Sequence, residues 1–441
     1  MLLSMAMVLR PLFVLLLAGA SFLAAQGTGL RLFFHLSYLL LALLVLSFIW
    51  AWLNLRGLDL ERETLTPRAT VGEYARERIM LRNRWVLPKL WIELRDSSDL
   101  PRHGAGFVAS LGGRERGRWL SRTRCTRRGR FRLGPSTLIS GDPFDIVRLQ
   151  RQVASTSEIL VYPQTVDLHD FALPGADLPG GQATRARTFH SSPNVATIRD
   201  YVPGDALNRI HWRSTARTGQ MMVKEFELDP SADVYLVLDM QERAVVRDTR
   251  VLSSVMQRDR RVMRGPWWSR PAQADDLDEA ELASTEEYAV TATASLARTL
   301  LSQNRIVGMV AWGQHREVIP AEREVRQLFK ILEALAVLRA HSTSSLAEVL
   351  LAESQRFGRN CSLIIVTSSL DERWVEALQQ LRYRGVRAAV VLVDPQSFGG
   401  WQSADLILQR LAELRVPTYR IQQDQPLADA LKMPVNLDLV V

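Results

Sequence analysis

The densest collection of residues able to do chemistry lies mid-chain: Arg199-Asp200-Tyr201-Val202-Pro203-Gly204-Asp205-Ala206-Leu207-Asn208-Arg209-Ile210-His211-Trp212-Arg213-Ser214-Thr215-Ala216-Arg217. His211 and Ser214 stand three apart there, with Asp200 and Asp205 close by in sequence. Imidazole, hydroxyl and carboxylate are the parts of a hydrolase in which a base takes the proton of a nucleophilic oxygen. Known triads, however, set the nucleophile on a strained turn beside oxyanion donors and draw the base from another element. A pair on one short helix fits that description poorly, and no catalytic residue is assigned. The residues suit a latch better. Pro203-Gly204 signals a turn, Asp205 can cap a short helix, and Arg–Asp pairs can interlock beneath Tyr201 and Trp212. Arg199, Tyr201, Pro203, Gly204, Asp205, Arg209, His211, Trp212 and Arg217 are thus expected to form a structural signature or a partner-docking surface.

A second concentration is cationic. Arg114, Arg116, Arg118, Arg122, Arg124, Arg128, Arg130 and Arg132 occupy even positions, while Trp119, Cys125, Phe131 and Leu133 occupy odd ones. The two-residue period of a strand would put the arginines on one face and the apolar set beneath, with a phase reset near Gly129 left open. Arg118, Arg122, Arg124, Arg128 and Arg130 would then form a basic face. It could be simply solvated, touch anionic lipid near a membrane anchor, or bind nucleic acid; stacking aromatics that nucleic acid would favour are absent from that face. The whole chain leans the same way, with a formal charge of +8 and a sequence pI ≈ 9.8, which favours an anionic partner.

The elements that position these groups can be read from periodicity. Two apolar stretches, from Pro11 to about Leu30 and from Leu32 to Leu53, each reach the roughly twenty residues a helix needs to cross a bilayer. Gly27-Thr28-Gly29-Leu30-Arg31 joins them in a tight turn, and Trp50 and Trp52 suit a headgroup interface. A transmembrane hairpin over residues 1–56 is expected; a cleaved signal peptide is the alternative for the first stretch. The weak bias of Arg10, Arg56, Arg62 and Arg68 around the single Arg31 favours both termini inside. That predicts a multi-pass membrane protein with its bulk in the cytoplasm.

From 57 to 164, alternating runs such as Glu77 to Asn83 and Leu90 to Arg95, separated by turn formers, predict a β-sandwich-like domain. Residues 165–228 read as a linker carrying the mid-chain signature. From 229 to 441, the apolar run Asp233 to Asp239 opens a series of strands alternating with helices at Glu286 to Leu301, Glu322 to Arg339 and Glu372 to Tyr383. That alternation predicts a parallel sheet covered on both faces. Sites in such sheets lie at the carboxyl ends of strands, where Asp239 falls. An insertion at 243–284 carries basic, then Trp267-Trp268, then acidic residues, and reads as a loop or a docking anchor. Two cysteines support neither a disulfide framework nor a multi-cysteine metal site. Nucleotide-binding loops and His-Glu-x-x-His are missing, and no cofactor is expected.

The mid-chain segment, continuing through Arg217-Thr218-Gly219-Gln220-Met221-Met222-Val223-Lys224-Glu225-Phe226, resembles the signature of the domain-of-unknown-function 58 family. Arg127-Arg128-Gly129-Arg130-Phe131-Arg132-Leu133-Gly134-Pro135 and Asp142-Pro143-Phe144 are similar to the same family's β-domain ending. Asn208 departs from it, standing where the family often has a second arginine. The resemblance implies a multidomain chain: a two-helix hairpin, a β-sandwich-like domain and a von Willebrand A-like (Rossmann-like) α/β domain. Members of that last class often hold Mg²⁺ through Asp-x-Ser-x-Ser, but here the run is Asp239-Met240-Gln241-Glu242-Arg243. Asp239, Thr343 and Asp371 therefore read as a degenerate metal-site rim. The implied role is a non-enzymatic adaptor working with a MoxR-type AAA+ ATPase on a client protein, with no nucleic acid as partner.

Overall fold

The computed structural model describes residues 2–104, 106–169, 171, 195–202, 210–226, 233–247, 284–358 and 361–435. Helices α1 (Leu2–Thr28) and α2 (Arg31–Leu55) form a hairpin. They touch through Ser37, whose hydroxyl donates to the Ala18 carbonyl at 3.0 Å, and through Phe22 and Phe34, which meet edge-on at 5.9 Å. Leu9–Thr28 and Arg31–Leu55 are long and apolar enough to cross a membrane.

The second helix ends inside the β region. Asn54 is buried and pairs with the backbone of Leu90 in both directions: its amide donates to the Leu90 carbonyl at 2.6 Å, and its carbonyl accepts from the Leu90 N–H at 3.0 Å. Lys89, also buried, donates to the Leu53 carbonyl and lies over the Trp85 ring. A cation there complements the negative end of the helix, although burial lowers its pKa.

Two sheets follow. Strands β1 (Leu58–Thr64), β3 (Tyr74–Asn83) and β6 (Arg116–Arg124) form one antiparallel sheet. The other runs in the order β2 (Arg68–Thr70), β9 (Ser157–Tyr162), β7 (Gly129–Gly141), β4 (Lys89–Ser98) and β5 (Phe107–Leu111), with β8 (Arg148–Val153) paired to β7. Leu60, Ile79 and Leu81 of the first meet Ile92, Leu94 and Leu138 of the second in one core.

Three of these strands carry a charge on the core side, each two residues from an apolar neighbour: Arg62 after Leu60, Glu77 before Ile79, and Asp96 after Leu94. The charges neutralise one another. Arg62 pairs with Asp96 and with Glu77 at 3.2 Å, and His103 Nε2 lies 2.9 Å from Asp96 and 3.1 Å from Glu77. Its Nδ1 lies 2.9 Å from the Thr123 hydroxyl. Burial alone would depress the His103 pKa; hydrogen bonds to Asp96 and Glu77 outweigh that and hold it at about 9.

The third sheet has the order β14-β13-β12-β15-β16-β17: β12 (Val234–Leu238), β13 (Val307–Trp312), β14 (Arg316–Glu322), β15 (Ser362–Thr367), β16 (Arg387–Val393) and β17 (Thr418–Ile421). Helices α4 (Thr285–Ser302) and α5 (Val325–Val337) cover one face; α6 (Leu346–Ala352), α7 (Arg373–Tyr383) and α8 (Asp405–Glu413) cover the other. The parallel arrangement expected from the sequence holds except at β14, which is antiparallel to β13. The three residues between them, Gly313 to His315, allow a hairpin but no crossover. Val166, Leu168 and Phe171, in the stretch expected as linker, pack into the core under α4.

The basic face needs correction. Arg118, Arg122, Arg124 and Arg130 are exposed, but Arg128 is fully buried. The chain changes sheets between β6 and β7, so the row is not one strand face. Arg128 instead enters the junction with the α/β unit. Its guanidinium meets Glu286 at 2.7 Å, Glu287 at 2.8 Å and the Leu338 carbonyl at 2.8 Å. Arg339 donates back to the Arg128 carbonyl at 2.9 Å.

Two outcomes follow for stability, both readable by chemical denaturation of the full chain in detergent. Arg128→Met leaves Glu286 and Glu287 with only the partly exposed Arg339 as a cation and should cost about 3–5 kcal/mol, whereas Arg130→Met should stay within about 0.5 kcal/mol; equal effects would contradict the buried junction. His103 has a folded pKa above its ordinary 6.5, so its contribution is complete below that value and lost as pH rises through about 9. The gap between wild type and His103→Gln should therefore shrink by on the order of 3 kcal/mol over that window; a constant gap would contradict the charged pairing.

Candidate functional site

The signature segment folds as a small unit. Strand β10 (Val195–Asp200) pairs antiparallel with β11 (Met222–Phe226), and α3 (Trp212–Thr218) lies between them in sequence. The Tyr201 N–H donates to the Met221 carbonyl and the His211 N–H to the Met222 carbonyl, each at 2.8 Å. His211 caps α3: its Nδ1 accepts from the Ser214 N–H at 3.1 Å and lies 2.7 Å from the Ser214 hydroxyl. The two residues read as a possible base and nucleophile are thus engaged in ending one helix. Trp212 is 69% exposed and Arg217 is exposed. Pro203, Gly204, Asp205 and Arg209 lie outside the described residues, as does Trp267-Trp268; Arg199 is described as backbone within β10.

The clearest cleft opens at the carboxyl ends of the third sheet. Strand β12 has β13 on one side and β15 on the other, and the chain visits the two sides in separate passes. That reversal leaves a crevice between the loops after β12 and β15, the general place for binding in open α/β sheets. The cleft there has a volume of about 360 Å³ and is lined by Gln241, Arg243, Ser369, Asp371, Arg373 and Trp401, among others.

Each wall is held from below. The Ser368 hydroxyl donates to the Ala244 carbonyl at 2.7 Å, tying the two loops together. Trp374, almost fully buried, donates its indole N–H to the Ser369 carbonyl at 3.2 Å. Asp371 is occupied by Arg373 at 2.5 Å, which holds its carboxyl below the usual range. Trp401, by contrast, is 89% exposed on the rim.

Asp239 lies at the floor of this region. Its Oδ2 accepts from the Thr367 hydroxyl at 2.6 Å and its Oδ1 from the Gln241 N–H at 3.0 Å. Burial of the carboxyl raises its pKa against the pull of those two donors. Thr343 is exposed on the neighbouring loop, which is tied to the Asp239 loop by the Ser342 N–H donating to the Met240 carbonyl at 3.1 Å. Mg²⁺ asks for near-octahedral oxygen ligation. Both Asp239 oxygens are engaged, Asp371 is paired with Arg373, and Arg243 adds a cation to the cleft. This donor set does not fit the ion.

Among the described residues, the one group with metal-ligand composition is Glu77, Asp96 and His103. The Arg62 guanidinium already fills it, so a divalent cation would meet a fixed positive charge. Sequence reasoning passed over this cluster, yet its signal was present: a charge in phase with the apolar residues of β1, β3 and β4.

Among solved structures, a CARDB domain from Pyrococcus furiosus is 17% identical, covering 24% of this chain and 86% of that one at a TM-score of 0.18. The alkylpurine DNA glycosylase AlkC of Pseudomonas fluorescens is 12% identical, covering 24% of this chain and 30% of that one, also at 0.18. Likenesses at this level say nothing of what the chain does. An uncharacterized protein of Bacillus subtilis, YeaD, is 20% identical over 228 residues, or 52% of this chain and 46% of the relative. The chain thus spans about half the length of that relative. Residues 197–256, which hold the β10–α3–β11 unit and the strand leading to Asp239, match the family described as "Protein of unknown function DUF58". This signature match and the distant Bacillus relative together support the DUF58 family for this chain.

Proposed function

We propose that the chain is a membrane-anchored, non-enzymatic adaptor whose α/β unit, von Willebrand A-like in kind, offers its cleft rim to a protein partner. The observation that carries this reading is the composition of the cleft at the sheet's switch point. An indole 89% exposed stands at the rim, with Arg243 and Arg373 among the lining residues. Tryptophan and arginine dominate the energetics of protein interfaces.

The partner class implied by the family resemblance is a MoxR-type AAA+ ATPase, which would supply the energy for work on a client protein. The family resemblance implies a bacterial inner membrane, and a hairpin of two spans with Arg10 and Arg56 on one side and Arg31 on the other favours the bulk of the chain in the cytoplasm. Asp239 acts in this account as an organiser of the rim: its carboxylate holds the Gln241 backbone, and Gln241 lines the cleft.

Co-purification from native membranes, with and without nucleotide, tests the proposal. The full chain should retain an AAA+ ATPase, and Trp401→Ser should weaken retention on the order of tenfold or more while leaving the thermal unfolding midpoint unchanged. Asp239→Ala should weaken it too. Retention unaffected by either substitution, or no ATPase in any nucleotide state, would contradict the rim as the docking site.

A further inference from the structure

The turn joining β7 to β8, Gly141 to Val147, is fastened to both helices of the hairpin. Asp142 accepts from the Ser47 hydroxyl at 3.1 Å, and Asp145 pairs with Arg10. Arg10 lies eighteen residues from Thr28 and Ser47 sixteen from Arg31. At ~1.5 Å per residue these are about 27 Å and about 24 Å from the hairpin tip, close to the ~30 Å thickness of a hydrocarbon core. The two contacts are therefore level with each other, and the intervening helix is of the right length to be the span itself. Trp50 and Trp52 follow within about a turn and a half, both exposed, and the Arg56 guanidinium lies 4.0 Å from the Trp52 ring centre. Aromatic and cationic residues at this height mark a headgroup region.

At this level the turn displays Pro143 and Phe144, both exposed, Phe144 at 68%. Its carboxylates are matched by donors. Besides Ser47, Asp142 accepts from the Phe144 N–H at 3.0 Å and the Val147 N–H at 2.6 Å. Asp145 is paired with Arg148 as well as Arg10. A turn whose carboxylates already have donors, with an apolar ring outward, meets a smaller desolvation cost beside lipid than one with bare carboxylates. We propose that the near interface of the bilayer lies at the level of Arg10, Ser47 and the Asp142–Asp145 turn, and that Phe144 is seated in lipid there, beside the hairpin. This rests on reading α1 and α2 as membrane spans. It makes the β unit part of the membrane contact, so that its orientation to the bilayer is set by three points.

The test uses the full chain reconstituted in phosphatidylethanolamine–phosphatidylglycerol vesicles. Both native cysteines are buried, so an environment-sensitive fluorophore can be placed at Phe144→Cys, with Pro143→Cys as a second site. Leu39→Cys, 65% exposed on α2, serves as the span control, and Tyr383→Cys, 82% exposed on α7, as the water control. The labels at 144 and 143 should be quenched several-fold more by lipid-borne nitroxide than by aqueous iodide, as at 39, and opposite to 383. Quenching by iodide at 144 and 143 with lipid quenching at 39 would overturn the wedge and leave the anchor standing. Iodide quenching at 39 as well would overturn the span and the wedge together. Shielding from both quenchers at 144 would mean a protein neighbour in place of lipid, and would also overturn it.

Discussion

A guanidinium with no access to water has to be answered by charge and by hydrogen-bond acceptors, and Arg128 is answered entirely by the α/β unit. Glu286 and Glu287 stand in the first turn of α4, where a helix favours negative charge, and the accepting carbonyl is that of Leu338, the C-cap residue of α5. Removing either side leaves charges stranded, which is a larger penalty than the pair's own net gain. The β unit and the α/β unit are therefore committed to one relative position. Arg339, reaching back to the Arg128 carbonyl, closes the same contact from the other direction.

This junction is adjacent to the cleft. The loop that follows β12 returns to α4 through Val246, which donates to the Thr285 hydroxyl at 3.0 Å and accepts from the Thr285 N–H at 2.9 Å. Val246 lines the cleft, and Thr285 directly precedes the two glutamates that hold Arg128. At the far end of the β unit, Leu90, Lys89 and the Asp142 turn grip the hairpin. Polar contacts thus fasten the β unit to the apolar helices at one end and to the α/β unit beside the cleft at the other. In the proposed docking role, a rim held in this way would leave little ordering to be done on binding.

Much of this frame was legible in the residues. The apolar run from Asp233 to Asp239 gives β12 almost to the residue, and the patterns at 286–301 and 372–383 give α4 and α7. Local periodicity suffices for such elements because their faces are buried uniformly. It fails where a long-range partner decides. Arg128 continues an even-numbered row of exposed arginines, and its burial depends on two glutamates more than 150 residues away. The same holds for Glu77, Asp96 and His103, which need Arg62 from a fourth segment to be neutral together. The signature around His211 was recognisable by its density of charged and aromatic residues, but which of them pack and which face water is a property of the β10–β11 pairing.

The central claim, that partners meet the chain at the rim above β12 and β15, is tested most directly by a photo-crosslinking residue placed at Trp401 in native membranes. Tyr383, exposed at the carboxyl end of α7 and so at the opposite end of the sheet, is the control position. The account predicts an adduct containing an AAA+ ATPase at 401 and none at 383. An adduct at 383 alone, or none at 401 while the ATPase still co-purifies, would place the docking surface elsewhere.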